Sequence, residues 1–119
     1  MIRNGQIVLF SFPQTDQTDG KLRPALVLRR LPGTHDDWLV CMITSQLHRY
    51  LTGFDEVITD GDPDFPETGL KRPSIIRISR LAAMAGEMLR GAIGQLPRER
   101  LLTIRSRLAG WILGDSEGS

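Results

Sequence analysis

The residues of this chain that could do chemistry stand at the ends of, or inside, short apolar runs. Arg23 and Pro24 directly precede the apolar run 25–28, Thr44 closes a second run, and Arg77 alternates with isoleucines in a third. A guanidinium group donates two parallel hydrogen bonds to phosphate oxygens and keeps its charge at physiological pH. Because proline restricts the backbone beside Arg23, a guanidinium at this position would be held on stiff backbone, where it could bind an anion.

The common kinds of catalytic motif are absent from the sequence. It contains no GxxxxGK[ST] or GxGxxG phosphate loop, no HExxH zinc motif and no GxSxG nucleophile elbow. His35 and His48 have no partner at metal-ligand spacing, and Cys41 lies within the apolar run 39–43, as a small core residue does. We therefore expect no cofactor and no metal site.

Length and composition predict one globular domain over residues 1–119. No apolar run approaches the ~20 residues that a membrane-spanning helix needs, and we identify no signal peptide. A single cysteine cannot form an internal disulfide, which fits a reducing compartment. We expect a cytoplasmic protein without a membrane partner.

The net charge of +1 conceals an asymmetry along the chain. Residues 1–67 carry six basic and ten acidic groups, whereas residues 68–114 carry nine basic and two acidic groups. Nearly all the basic residues are arginines, which bind phosphates and stack on bases better than lysines do. This composition permits nucleic-acid binding, although a solvated basic surface would have the same composition.

The periodicity of apolar residues predicts a mainly β fold with a C-terminal helix. Strands are predicted at residues 6–12, 25–29, 38–44, 54–59, 74–78 and within 87–96. A polar loop spans 13–22, a helical turn is expected within 47–52, and an acidic turn cluster within 60–67. In that cluster, Phe65 either contacts a partner or folds back onto the protein.

The C-terminal helix is predicted to begin at Pro97 and to end at Gly114. Its predicted core face consists of Leu101, Ile104, Leu108, Trp111 and Ile112. Short strands with one terminal helix are typical of a small, partly closed β-barrel.

Four segments of the sequence resemble the MazF/PemK/Kid family, the toxins of type II toxin–antitoxin pairs. They are GQIVLFSFPQTDQTDGKLRPALVL, CMITSQ, GLKRPSIIRISRLAAM and RGAIGQL, and they occur in the family's order before a C-terminal helix. The resemblance implies an SH3-like barrel of the MazF/PemK/CcdB type and a homodimer. It also implies sequence-selective, metal-independent cleavage of single-stranded RNA, with a small antitoxin protein as partner.

The same resemblance assigns roles to individual residues. Arg23, Thr44 and Arg77 fall on the catalytic positions of the family. Substrate contacts are expected from a second set: Asp16, Thr18, Asp19, Lys21, Ser45, Gln46, His48 and Ser79. The chain departs from the family pattern at Ser79, where many members have an aspartate, and at Gln6, where many have an acidic residue. The missing aspartate could mean slow chemistry, a different base (Asp16, Asp19 or His48) or lost activity.

Other interpretations of the same residues stay open at this point. Arg23 could simply form an ion pair with Asp16 or Asp19, and Thr44 could be an ordinary β-branched strand residue. CcdB-type toxins share the barrel but poison DNA gyrase through a C-terminal helix that carries a tryptophan, as Trp111 would here. A catalytically silent RNA-binding or antitoxin-binding homologue would account for the departures, notably Ser79.

Overall fold

A computed structural model describes residues 1–11 and 21–114 of the chain. Within those residues six strands form one antiparallel sheet in the order β4-β5-β3-β2-β1-β6. The strands are β1 (Gln6–Phe10), β2 (Arg23–Arg30), β3 (Asp37–Thr44), β4 (Glu56–Ile58), β5 (Ser74–Ala85) and β6 (Leu89–Gln95). The helices are α1 (Phe65–Thr68) and α2 (Arg98–Leu113), with 3-10 turns at Leu47–Arg49 and Gly86–Met88. The predicted fold class, mainly β with a C-terminal helix, is confirmed.

The centre of β2 is buried on both faces of the sheet, which explains its unbroken apolar run. Leu26 and Leu28 belong to a first core, on the side where α2 packs. Ala25 and Val27 point to the opposite face and belong to a second core with residues of β1, β3 and β5. Because a strand that is buried on both faces needs apolar side chains in both directions, alternation disappears from the sequence.

Helix α2 has the predicted ends. Pro97 precedes its first residue, and Gly114 terminates it in the left-handed conformation at φ 81°. Leu101, Ile104 and Leu108 are buried in the first core, as the helical period predicts.

The last turn of α2 differs from the prediction. Trp111 is 53% exposed and Ile112 is 64% exposed, so their assignment to the core was wrong. Trp111 makes a tilted ring contact with Phe54, with 5.8 Å between ring centroids. Helical spacing places a residue on a face of the helix, but burial also requires a partner opposite it.

Strand β5 is much longer than predicted, with 12 residues instead of five. It pairs with β3 along both of its ends, but the register shifts between Cys41, opposite Leu81, and Met42, opposite Arg77. Residues 78–80 do not pair with β3 and therefore form a bulge in β5. The lost alternation in this bulge is the reason why the sequence predicted an end at residue 78.

Two arginines of α2 bind acidic residues of β4 and of the segment that follows it. The Arg100 guanidinium donates to Glu56 at 3.0 Å, to Asp64 at 2.9 and 3.0 Å, and to the carbonyl oxygen of Val57 at 2.8 Å. Arg107 donates to the other oxygen of Glu56 at 3.1 Å. Part of the excess positive charge of residues 68–114 is thus neutralised within the fold.

The acidic segment is correspondingly more ordered than a turn cluster. It ends in α1, and Phe65 folds back into the first core with 9% exposure. Asp62 has its pKa lowered, chiefly by the backbone N–H of Thr59 and also by Arg100.

Candidate functional site

Arg23, Thr44 and Arg77 lie on one face of the sheet. Arg77 stands opposite Met42 across β3 and β5, and Met42 stands opposite Ala25 across β3 and β2. Residues opposite each other in an antiparallel pair share a face, as do residues two apart in one strand. Arg23 is two residues from Ala25 and Thr44 is two from Met42, so all three polar side chains share the face opposite α2.

The three residues also sit on three adjacent strands. If the register of β2 and β3 is continued two residues beyond the pair Ala25–Met42, Arg23 lies opposite Thr44. Arg77 lies diagonally across from Thr44 on β5. Neighbouring strands are about 4.8 Å apart, so the two arginines start about 10 Å from each other with the threonine between them. Two long guanidinium side chains on this spacing can converge on one small anion.

Within residues 1–11 and 21–114, few polar atoms of these three side chains have a partner. Arg23 is exposed, and the Thr44 hydroxyl oxygen accepts a hydrogen bond from the N–H of Gln46 at 3.1 Å, while none of these residues accepts the hydroxyl hydrogen of Thr44. Nε of Arg77 is buried and has no hydrogen-bond partner within the described part of the chain. A buried N–H without a partner is costly, and a phosphate oxygen would supply the missing acceptor.

The expected substrate-binding residues are only partly gathered around this face. Lys21 is exposed just before β2, and Ser45 and Gln46 directly follow Thr44. Gln46 accepts from Nε of Arg49 through its side-chain oxygen, which orders the start of this segment. His48 is exposed on the 3-10 turn at Leu47–Arg49.

Three of the expected residues, Asp16, Thr18 and Asp19, lie outside the described residues. The same holds for the ion pair that Arg23 could form with either aspartate.

Ser79 has a partner that sequence reasoning missed. Its backbone N–H and its hydroxyl donate to Oδ1 of Asp55 at 3.1 and 3.0 Å. Asp55 is only 2% exposed, and its other oxygen accepts the N–H of Leu51 at 3.2 Å. One signal in the sequence could have drawn attention to Asp55: it directly follows Phe54 within the predicted strand 54–59.

Cys41 is a core residue and not a nucleophile. It is fully buried in the first core, where burial and, secondarily, the nearby charge of Asp55 raise the pKa of its thiol. A thiol that stays protonated reacts slowly.

Metal and membrane features are also absent from the described ranges. Across residues 1–11 and 21–114, no three His, Cys, Asp or Glu side chains are grouped so that they could hold a metal ion. The helices among these residues are too short or too polar to cross a bilayer.

Comparison with known proteins gives the family of the chain. Comparison with curated protein sequences yields no match. The fold resembles that of the Mycobacterium tuberculosis toxin MazF-mt6, with a TM-score of 0.62, 19% identity, and coverage of 92% of this chain and 96% of that one. It also resembles a chain of the MazE-MazF crystal structure (Form-II) from Deinococcus radiodurans, with a TM-score of 0.66, 22% identity, and coverage of 98% and 99%. The profile of the PemK-like, MazF-like toxins of type II toxin–antitoxin systems matches residues 3–112, so the chain belongs to that family.

Proposed function

We propose that this chain is an endoribonuclease toxin that cuts single-stranded RNA at selected sequences without a metal. The observation that carries the proposal is the placement of Arg23, Thr44 and Arg77 on one face of three adjacent strands. Family membership supports it, as does the buried Nε of Arg77, which lacks an acceptor among the described residues.

The proposed reaction is an intramolecular transesterification at one phosphodiester. The neighbouring 2′-oxygen bonds to phosphorus as its proton leaves to a base, and the bond from phosphorus to the 5′-oxygen breaks as that oxygen takes up a proton. The products are a 2′,3′-cyclic phosphate and a 5′-hydroxyl end. DNA lacks the 2′-hydroxyl, so the same site would bind DNA but could not cut it.

The arginines and the threonine would stabilise the charge that develops on the phosphate. The phosphorane between reactant and product carries more negative charge than the diester, and preorganised donors favour it over the ground state. Arg23, held beside Pro24, would donate in bidentate fashion from one side. Arg77 would donate from the other side, and the Thr44 hydroxyl would donate between them.

The proton must go to a group other than the arginines, because a guanidinium stays protonated and cannot act as a base. Of the three candidate bases, His48 is the one within the described residues, and it is exposed on the 3-10 turn four residues after the end of β3. A neutral imidazole accepts protons near pH 7. We expect Asp16 and Asp19, on the polar loop before β2, to contribute to base selection together with Thr18 and Lys21.

The proposed partners are an antitoxin protein and a second copy of the chain, in the cytoplasm. The Deinococcus radiodurans relative is described as a MazE-MazF structure, which supports an antitoxin partner here. A homodimer would place two such faces in one particle.

The test is RNA cleavage by the purified protein in EDTA, with product ends mapped. Wild type should give cuts at defined sites with cyclic phosphate and 5′-hydroxyl ends. Arg23→Ala should lower the rate by about 10²–10³, the typical cost of one transition-state donor. Arg98→Ala is the matched control, because Arg98 is exposed at the start of α2, which packs on the other face. Equal rates for Arg23→Ala and wild type would refute the assigned role.

One observation favours a second candidate, a DNA gyrase poison. Trp111 is 53% exposed at the end of α2, where a contact with another protein could form. On this reading the protein would cut no RNA, would stabilise gyrase-cleaved DNA, and would lose that effect in Trp111→Ala.

A further inference from the structure

The carboxylate of Asp55 is buried, and both of its oxygens accept hydrogen bonds, which come from two separate segments. Oδ1 accepts both the N–H and the hydroxyl of Ser79, and Oδ2 accepts the N–H of Leu51 at 3.2 Å. The hydroxyl of Ser79 also lies 3.3 Å from Oδ2. At 2% exposure Asp55 receives little help from water, so these donors supply most of what stabilises its carboxylate.

The first segment is the bulge of β5. Residues 78–80 do not pair with β3, and β4 pairs with β5 only from Ser74 to Ile76. The backbone N–H of Ser79 therefore lacks an acceptor from either neighbouring strand, and the Asp55 side chain supplies one. Arg77 stands immediately before this bulge and is the last residue paired with β3 ahead of it.

The second segment is the connection from β3 to β4. It leaves the sheet at Thr44, carries Ser45, Gln46 and His48, and returns at Asp55 itself. Leu51 is bonded twice at this end: its N–H donates to the Asp55 side chain, and its carbonyl oxygen accepts the N–H of Asp55 at 3.0 Å. Asp55 thus closes the loop that Thr44 opens.

We propose that Asp55 is a positioning residue of the RNA-binding face. Its carboxylate joins the β5 bulge that follows Arg77 to the loop that follows Thr44, and so sets the relative placement of two of the three proposed phosphate donors. It acts through these segments and does not touch RNA, since it is buried. The kinetic part of the inference rests on the proposed ribonuclease function.

The kinetic test compares Asp55→Asn with Asp60→Asn, which removes the same charge from an exposed position nearby. An amide at position 55 turns one acceptor into a donor facing N–H groups, so the bulge and the loop should separate. We expect kcat to fall at least about tenfold, because misplacement of about 1 Å can cost ~10²-fold in rate. KM should stay within about twofold, because the basic groups that attract RNA remain. Asp60→Asn should match wild type in both constants.

Two serine variants separate positioning from a general loss of folding. Ser79→Thr keeps the hydroxyl and the backbone bond and should lower kcat less than Ser79→Ala does. Ser79→Ala removes only the hydroxyl bond and should lower kcat less than Asp55→Asn does. The proposal would be overturned if Asp55→Asn folds and keeps the wild-type kcat. It would also be overturned if Asp55→Asn, Ser79→Thr and Ser79→Ala all lost the same fraction of kcat and the same amount of thermal stability.

Hydrogen–deuterium exchange tests the same inference without any activity. In Asp55→Asn, amides of residues 77–81 and 45–51 should exchange faster together, while those of β1 and α2 stay unchanged. If Asp55→Asn does not fold, Ser79→Ala takes its place and should speed exchange at residues 77–81. If wild type cuts no RNA, the proposed function fails, and exchange alone decides the positioning role. Unchanged exchange in both segments would refute it.

Discussion

Replacement of Arg100 by methionine should destabilise the protein more than any other single change to a charged residue of α2. The guanidinium is 18% exposed and donates to Glu56, Asp64 and the Val57 carbonyl oxygen, all at 3.0 Å or less. Methionine keeps most of the length and the apolar stem of the side chain but donates no hydrogen bond. The change would leave Glu56 with Arg107 as its remaining cation and Asp64 with none among the described residues, although both carboxylates are only 17–18% exposed.

The size of the effect follows from these contacts. Removing one partner of a buried charge pair typically costs about 3–5 kcal/mol. Water reaches the partly exposed carboxylates and recovers some of this loss, so we expect about 3 kcal/mol in the free energy of unfolding. For a domain of this size about 4 °C of Tm corresponds to each kcal/mol, which gives a fall of about 12 °C.

The measurement is urea unfolding at pH 7 with Arg98→Met as the matched control. Arg98 is exposed on the same helix, two residues earlier, and its replacement should cost less than about 0.5 kcal/mol. If the two variants lose equal stability at pH 7, the arginine cluster does not hold the acidic segment as argued.

Three further predictions concern other parts of the fold. Gly94→Ala should cost about 1–3 kcal/mol or more in thermal unfolding, because the new Cβ would lie 2.3 Å from backbone atoms of α1. Because the pKa of Asp62 is lowered in the folded state from its ordinary value of 3.8, the charged carboxylate stabilises that state above pH 3.8. This contribution to the free energy of unfolding should be lost as the pH falls below 3.8, which urea unfolding at a series of acid pH values would measure. Cys41 should resist a thiol reagent in the native protein and react once urea unfolds it, since its thiol is buried with a raised pKa.

Helix α2 was predictable because its signals are local. Pro97 and Gly114 mark its ends through backbone restrictions that act within one or two residues. The exposed Trp111 was not predictable from the same pattern, because a helical period states which residues share a face and not how far the sheet beneath it extends.

The sequence predicted only part of the candidate site, for a related reason. Arg23, Thr44 and Arg77 were recognisable from their positions and from the family resemblance, and strand register brings them to one face. Asp55 was missed because its partner Ser79 is 24 residues away in the chain. The bulge that makes this contact necessary arises from pairing between strands, which no local pattern encodes.

The order of the strands also sets the order in which the fold can be completed. Strand β1 lies between β2 and β6, so one of its edges has no partner until Leu89–Gln95 have been synthesised. Pairing over such a sequence separation is slow, because loop closure must precede the contacts that stabilise it. During translation, β2, β3 and β5 can assemble first, and the N-terminal strand joins them fully only when β6 has left the ribosome.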